Sequence, residues 1–121
     1  MKYQLQNRTK KFAIDIIKLS KLIPNESIGW TLTNQIIRSA TSVGANYRAV
    51  CRAKSDKDFI SKMETVIEEA DETLFWLEIV DELHIVNGKN EINRLLKEAN
   101  ELVAIFVSSV KTVKNRLNKN K

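Results

Sequence analysis

The sequence contains few of the residues that reverse or break a chain, with three glycines and one proline among 121 residues. Average usage would be about 7% glycine and 5% proline, because sheets and tight turns consume both residues at every reversal. The scarcity predicts long helices. No apolar run approaches the roughly 20 residues that span a membrane, so we expect a soluble protein.

Cysteine and histidine occur once each, as Cys51 and His84. A lone cysteine forms no internal disulfide, and Cys51 lies in an apolar helical pattern, so we expect a buried, reduced thiol rather than a reactive one. We interpret His84 as a partner of a helix C-terminus. The N-terminal residues show no apolar stretch followed by a small-residue cleavage site, and this predicts a cytoplasmic protein.

The usual signatures of catalysis are missing as well. A carboxylate-bridged di-iron bundle needs two Glu-x-x-His pairs, and the sequence has one histidine. There is no glycine-rich phosphate loop. Glu64, Glu68 and Glu72 share one helix face and could hold a hard cation, but arginine partners explain them more simply. We therefore expect a protein that is not an enzyme and that holds no metal and no cofactor.

Four segments carry apolar residues at alternating intervals of three and four, which predicts four helices. They cover about residues 7–23, 30–53, 56–83 and 91–117 of a single domain, residues 1–121. The loops fall at Pro24, near Lys54 and at Asn87-Gly88. Short connections favour antiparallel neighbours, so the sequence predicts an all-α, antiparallel up-down-up-down four-helix bundle.

Several of these segments are apolar around more of their circumference than the roughly 100° stripe that a monomeric bundle needs. The runs around Phe75 and Trp76 and around Ile105 are the clearest cases. Soluble monomers usually avoid such large exposed patches, so we expect a homo-oligomer with these three residues at the interface. The alternative is that Trp76 and Ile105 lie under the chain termini.

The third segment, residues 55–83, is acidic, with ten carboxylates and two basic residues, although the whole chain has a net charge of +5. Antiparallel pairing of the second and third helices places Arg38 beside Asp71 and Glu72, and we predict an ion pair that fixes their register. Gly44 within the second helix predicts close approach of a neighbouring helix. We expect Asn46 to be hydrogen-bonded inside that seam and to set the register.

Basic residues lie at the start of the first helix and at the ends of the second and fourth, which meet at one end of such a bundle. A ring of these ends would attract phosphates, so RNA or DNA is a candidate partner. No helix-turn-helix, zinc-finger or ribonucleoprotein motif is present, and a solvated basic surface is the alternative. The candidate contacts are Lys10, Lys11, Arg48, Arg52, Lys54, Lys111, Lys114 and Arg116, followed by Lys119 and Lys121.

Two motifs have a more specific pattern. The first is Gln-x-x-Arg-Ser-Ala-x-Ser-Val-x-Ala-Asn at 35–46, which follows a loop that contains Pro24 and ends at Gly29. The second is Ser-x-x-Asp-Phe at 55–59, followed by Glu-Glu-Ala-Asp-Glu at 68–72 and by Trp-Leu at 76–77. With these motifs the chain resembles, over roughly residues 9–117, the four-helix bundle proteins related to those encoded by intervening sequences in bacterial 23S ribosomal RNA genes.

The resemblance implies a homopentamer of bundles that forms a barrel with a central channel, and no known enzymatic activity. Relatives include the accessory subunit of diversity-generating retroelements, which uses a basic surface to engage nucleic acid and a reverse transcriptase. Gly44, where many members have proline, and Tyr47-Arg48-Ala49 depart from the family pattern and indicate a subfamily. Two functions remain open: nucleic-acid binding through basic helix ends, and a protein-interaction scaffold or accessory subunit of a reverse transcriptase system.

Overall fold

The structure is a computed structural model that describes residues 2–119. Lys121, one of the basic residues noted above, lies outside them. All regular structure in the described part of the chain is helical, as predicted, and consists of α1 (Lys2–Ser20), α2 (Ser27–Val50), α3 (Asp56–Glu82) and α4 (Lys89–Lys119).

The helix bounds differ from the sequence prediction mainly in α1. This helix begins at Lys2 rather than near residue 7, because Leu5 and Thr9 are buried and extend its apolar stripe towards the N-terminus. It ends at Ser20 rather than at residue 23. The second helix begins at Ser27, three residues before the predicted start at residue 30, and both α2 and α4 shift by a few residues at their ends.

One apolar core draws on all four helices. Most of the apolar residues that recur at intervals of three and four are buried, and Phe59 and Leu117 are among those that are half-buried. The largest fully buried side chains come from every helix, among them Phe12, Ile36, Leu77 and Phe106. Each helix packs against its neighbours in the order α1–α2, α2–α3, α3–α4 and α1–α4. The grooves between α1 and α2 and between α3 and α4 therefore open on opposite sides.

Two ion-pair clusters join α1 to α4. The guanidinium of Arg8 donates to Glu98 at 2.7 Å and to Glu101 at 2.8 Å. Further along α1, the Asp15 carboxylate accepts hydrogen bonds from Lys11 at 2.7 Å and from Arg94 at 2.9 Å. Burial tends to raise the pKa of Asp15, but these two donors outweigh it, and the pKa lies below its usual value.

Arg38 joins α2 to α3, as its predicted role requires, although one partner differs from the prediction. Its guanidinium contacts Glu72 and also Glu69, at 3.1 Å. Asp71, the other predicted partner, is exposed on the outer side of α3. Glu69 replaces it because residues 69 and 72, one turn apart, share the side of α3 that faces α2. The Trp76 indole N–H also donates to Glu72, at 3.1 Å. This hydrogen bond is the largest cause that lowers the pKa of the Glu72 carboxyl, and Arg38 lowers it further.

The buried polar contact between α2 and α3 does not involve Asn46. The Asn46 side chain is half-buried and donates to the Ser42 carbonyl of its own helix at 2.8 Å, so it does not bridge two helices. Instead, the hydroxyl of Thr73 donates to the hydroxyl of Ser39 at 2.8 Å, and both residues are fully buried. This pair supplies the polar registration that the sequence prediction assigned to Asn46.

Candidate functional site

The start of α1 and the ends of α2 and α4 meet at one end of the molecule, which we call the basic end. Lys2, Lys54 and Arg116 line a cavity of about 520 Å³ there. Its wall is largely apolar and includes Leu5, Val50, Phe59, Met63 and Val113. These helix termini therefore converge as the sequence predicted.

Some of the cations at the basic end are already paired. Arg116 makes two hydrogen bonds to Asp56, at 2.9 and 3.3 Å. Lys62 pairs with Asp58 at 2.6 Å and lowers the pKa of that carboxyl, and the backbone N–H of Lys54 adds to the effect. An arginine held by a bidentate carboxylate must give up that partner before it can bind a phosphate.

Other cations at the basic end have no such partner. Lys54, Lys111 and Lys114 are exposed, and within residues 2–119 they make no ion pair. Lys111 and Lys114 flank Val113, which lines the end cavity. These three lysines, like the exposed Lys2 at the cavity wall, are therefore available to an external phosphate at this end.

A second basic surface lies along the groove between α1 and α2, which we call the basic groove. Lys10, Arg48 and Arg52 line it, and it encloses about 480 Å³. All three are exposed, and none makes an ion pair with another described residue. The groove is also lined by small or uncharged residues, Gln6, Ala13, Thr41, Gly44, Ala45 and Ala49.

Gly44 lets α1 approach α2 beneath this groove. A Cβ atom built on Gly44 would lie 3.6 Å from the Thr9 carbonyl oxygen, in ordinary van der Waals contact. The approach predicted from the sequence is therefore present, but it leaves room for a methyl group. Lys11, which the sequence grouped with the phosphate contacts, does not line this groove and pairs with Asp15 of its own helix, the carboxylate that Arg94 of α4 also contacts.

Tyr47 and Cys51 form part of the wall of the end cavity. Burial raises the pKa of Tyr47 to about 12, and the neighbouring Cys51 adds to the shift, so the phenol stays neutral at physiological pH. The Tyr47 ring stacks on Phe106 with the ring centroids 5.8 Å apart. Cys51 is a free thiol and half-buried, rather than fully buried as expected.

His84 lies just beyond α3 in the left-handed backbone conformation, with φ of 54°. Its N–H donates to the Asp81 carbonyl at 3.2 Å, so its backbone closes the helix end. Among residues 2–119, no three His, Cys, Asp or Glu side chains are grouped closely enough to hold a metal ion. No helix in that range is both long and apolar enough to cross a membrane.

The three residues predicted at an oligomer interface differ in exposure. Phe75 is 53% exposed on the outer side of α3. Trp76 and Ile105 are half-buried and pack against the core. Phe75 and Trp76 contact each other edge to face, with their ring centroids 5.1 Å apart. Large exposed apolar residues occur elsewhere too, at Tyr3, Ile14, Leu22, Ile28, Trp30, Leu83 and Val107.

Four long helices, one shared apolar core and two cationic surfaces define a small all-α protein of the four-helix class. The chain belongs to the 23S rRNA-intervening sequence protein family, whose model matches residues 1–108. This confirms the resemblance found in the sequence motifs.

A solved structure supports the same assignment. The chain is similar, at 31% identity and a TM-score of 0.79, to the crystal structure of a protein of unknown function from the S23 ribosomal protein family of Bacteroides thetaiotaomicron VPI-5482. The similarity covers 88% of this chain and 97% of that chain. No curated protein matches the chain.

Proposed function

We propose that this chain is a non-catalytic, cytoplasmic protein that assembles with copies of itself and binds RNA or DNA through its basic end. The observation that carries the proposal is the group of exposed lysines without an ion pair among residues 2–119: Lys54, which lines the end cavity, and Lys111 and Lys114 in the C-terminal part of α4. A nucleic acid offers a dense row of phosphates, and several exposed ammonium groups on one surface favour binding by releasing its counterions.

The helix directions in this proposal are those of an antiparallel up-down-up-down bundle. Successive contacts support this arrangement: Arg8 of α1 contacts Glu98, whereas Asp15, later in α1, contacts Arg94, earlier in α4. Short loops between successive helices favour the same arrangement. In a ring of such bundles every copy presents its basic end on the same side. The pentamer implied by the family resemblance would therefore multiply the local positive charge.

Self-association is supported by the exposed apolar residues and by the surface area. The accessible surface is 7498 Å², whereas a folded monomer of this mass typically exposes roughly 6,700 Å². An elongated four-helix molecule has long sides, and exposed groups such as Phe75 and Val107 on those sides favour burial against another subunit.

The nucleic-acid proposal is tested by gel shift with a labelled single-stranded RNA and a DNA duplex at about 50 mM and about 200 mM salt. We expect binding that weakens steeply with salt. Replacing Lys54, Lys111 and Lys114 together by alanine is expected to weaken binding to both probes and to reduce the slope of log K against log salt by about 2 to 3, since each lost phosphate contact removes somewhat less than one unit.

The matched control replaces Lys18, Lys21 and Lys97 by alanine, which removes the same charge away from the basic end. These lysines are exposed and make no ion pair within the described residues. We expect binding close to that of the parent chain. Absence of binding at the lower salt concentration, or equal losses in both triple variants, would refute a phosphate site at the basic end.

A second candidate function is that of an accessory subunit or scaffold for another protein, such as a reverse transcriptase. Exposed Phe75 among the carboxylates of α3 favours it, because an aromatic side chain in an exposed charged surface is a common anchor for a partner. Co-purification from the native cell tests it: a partner recovered with the parent chain and lost with Phe75→Ala supports the scaffold, and recovery that does not depend on Phe75 counts against it.

A further inference from the structure

We propose that neighbouring copies of this chain dock through two oppositely charged faces, with the basic groove of one copy receiving the outer acidic face of α3 from the next. The inference rests on the proposed self-association and names the surfaces that carry it. We call the second surface the acidic face. It consists of Glu64, Glu68, Asp71, Phe75, Glu78 and Glu82, all exposed.

The acidic face is a continuous stripe of one helix. Its residues follow each other at alternating intervals of four and three, which places them along one side of α3. Two other carboxylates of the same helix, Glu69 and Glu72, are turned towards Arg38 and are neutralised within the chain. The carboxylates of the acidic face make no ion pair among residues 2–119, so their charge is available to a partner.

The two surfaces are opposite in charge, and each carries a pair of charged residues one turn apart. Arg48 and Arg52 are four residues apart on α2, and Glu64 and Glu68 are four residues apart on α3. At 1.5 Å per residue, each pair spans about 6 Å along its helix. When copies stand side by side with the same ends up, Glu64 of one copy can face Arg48 of the next. Because α2 and α3 run in opposite directions, Arg52 and Glu68 then lie about 6 Å to either side of this contact. Arginine favours such carboxylate pairing.

Arg48 and Glu64 lie at a similar height along the molecule. Tyr47 and Met63 line the same end cavity, and Arg48 and Glu64 are the next residues in each helix. Copies placed side by side with the same ends up would then bring the basic groove of one copy opposite the acidic face of the next. Lys114 lines the groove between α3 and α4 together with Glu64 and Glu68 of this face.

The positions of the faces determine the kind of assembly. The basic groove opens between α1 and α2, whereas the acidic face lies on α3, on the other side of the molecule. A contact between two different surfaces is head-to-tail, and it produces a closed ring or an open filament rather than a two-fold dimer. Apolar contact on one side comes from Phe75 and the half-buried Ile67. On the other side it comes from Ile17 and Ile37 beside the groove.

A phosphate backbone is the competing occupant of the basic groove, because Lys10, Arg48 and Arg52 were also candidates for nucleic-acid contact. The second copy is favoured because the same chain carries an acidic stripe that is unpaired among residues 2–119. The floor of small side chains also allows another helix to approach closely, as at other helix interfaces built on alanine and glycine. Lys54 and Lys111 line neither this groove nor the groove between α3 and α4, and they stay available to nucleic acid.

Charge reversal tests the interface. Light scattering after gel filtration is applied to the parent chain, to Arg48→Glu with Arg52→Glu, and to Glu64→Arg with Glu68→Arg. The parent is expected to form an assembly, and each double variant is expected to run as a single chain of 13.9 kDa at the same concentration. A thermal melt followed by circular dichroism shows that each variant remains folded.

Two further samples separate a specific interface from a general effect of charge. The quadruple variant Arg48→Glu, Arg52→Glu, Glu64→Arg and Glu68→Arg, in which every groove again meets a face of opposite charge in a ring of any size, is expected to regain assembly. The matched control Lys18→Glu with Lys21→Glu makes the same charge change outside the groove, and we expect it to assemble like the parent.

The outcomes distinguish the interface from the self-association on which it rests. A parent chain that runs as a monomer refutes self-association itself. A parent assembly that persists in both double variants refutes this interface and leaves self-association standing. If Arg48→Glu with Arg52→Glu abolishes RNA binding without changing the assembly, the groove is a phosphate site and the inference is wrong.

Discussion

Gly29 occupies the first turn of α2, directly against the loop that contains Pro24. A Cβ atom built on Gly29 would overlap the Pro24 carbonyl oxygen, and because that oxygen belongs to the backbone, the loop itself would have to move. We therefore predict that Gly29→Ala destabilises the fold by about 1 to 3 kcal/mol, the range for overpacked sites. Urea unfolding measures the change, and an unaltered midpoint would contradict this account of the proline–glycine loop.

Gly44 is the matched case with the opposite expectation. A Cβ atom there meets α1 only at van der Waals distance, and alanine is a better helix former by about 1 kcal/mol. We predict that Gly44→Ala is neutral or raises the free energy of unfolding by up to about 1 kcal/mol. A clear loss of stability in the same urea experiment would mean that α1 and α2 are closer than the structure places them.

At the scale of helices, ion pairs connect α1 to α4 and α2 to α3 through carboxyls with lowered pKa values. The pKa in the unfolded chain is 3.8 for Asp15 and 4.5 for Glu72, and the pKa in the folded protein is lower. Each carboxylate therefore stabilises the fold fully above its unfolded pKa, and this contribution is lost as the pH falls through its folded pKa. We predict that stability declines below about pH 4.5. Unfolding experiments between neutral and acid pH measure it.

The variant Asp15→Asn isolates the α1–α4 contact. It removes one of the titrating carboxylates, and we expect a loss of less than about 1 kcal/mol at neutral pH, because the pair with Arg94 is partly exposed. Its stability should also depend less on acid pH than that of the parent chain. An identical acid dependence in the two proteins would mean that Asp15 does not contribute to it.

Spacing along the sequence is sufficient to predict the helices and the stripes that enter the core, since burial follows the helical period. It misses the first turns of α1, because one apolar residue, Leu5, among polar ones gives little signal. It also misses the Ser39–Thr73 contact and the choice of Glu69 over Asp71 by Arg38, which depend on the rotation of α3 about its axis. A serine and a threonine at facing positions of two predicted helices are the sequence signal that would have predicted the Ser39–Thr73 contact.

The candidate site was predictable to a similar extent. Antiparallel topology is enough to predict that basic termini converge on one end. It does not tell which cations are neutralised: Lys11 and Arg116 have carboxylate partners, whereas Arg48 and Arg52 have none among residues 2–119. The Lys11–Asp15 pair is local to α1, but the Arg116–Asp56 pair depends on contact between helices distant in sequence.

At the scale of the whole molecule, charge is segregated by side and by end. The α1–α2 side is basic, the outer side of α3 is acidic, and the end formed by the start of α1 and the ends of α2 and α4 is basic again. A molecule with complementary sides and a basic end is suited to assembly side by side, with the basic ends gathered on one rim. We therefore expect the chain to associate with copies of itself.

The mass of the purified parent chain in solution tests that claim most directly. Multi-angle light scattering at micromolar concentration and low salt should give a whole-number multiple of 13.9 kDa, five times that value for the pentamer implied by the family resemblance. The multiple should fall as salt is raised, because charged faces hold the copies together. A constant mass of 13.9 kDa at every concentration and salt would contradict the account.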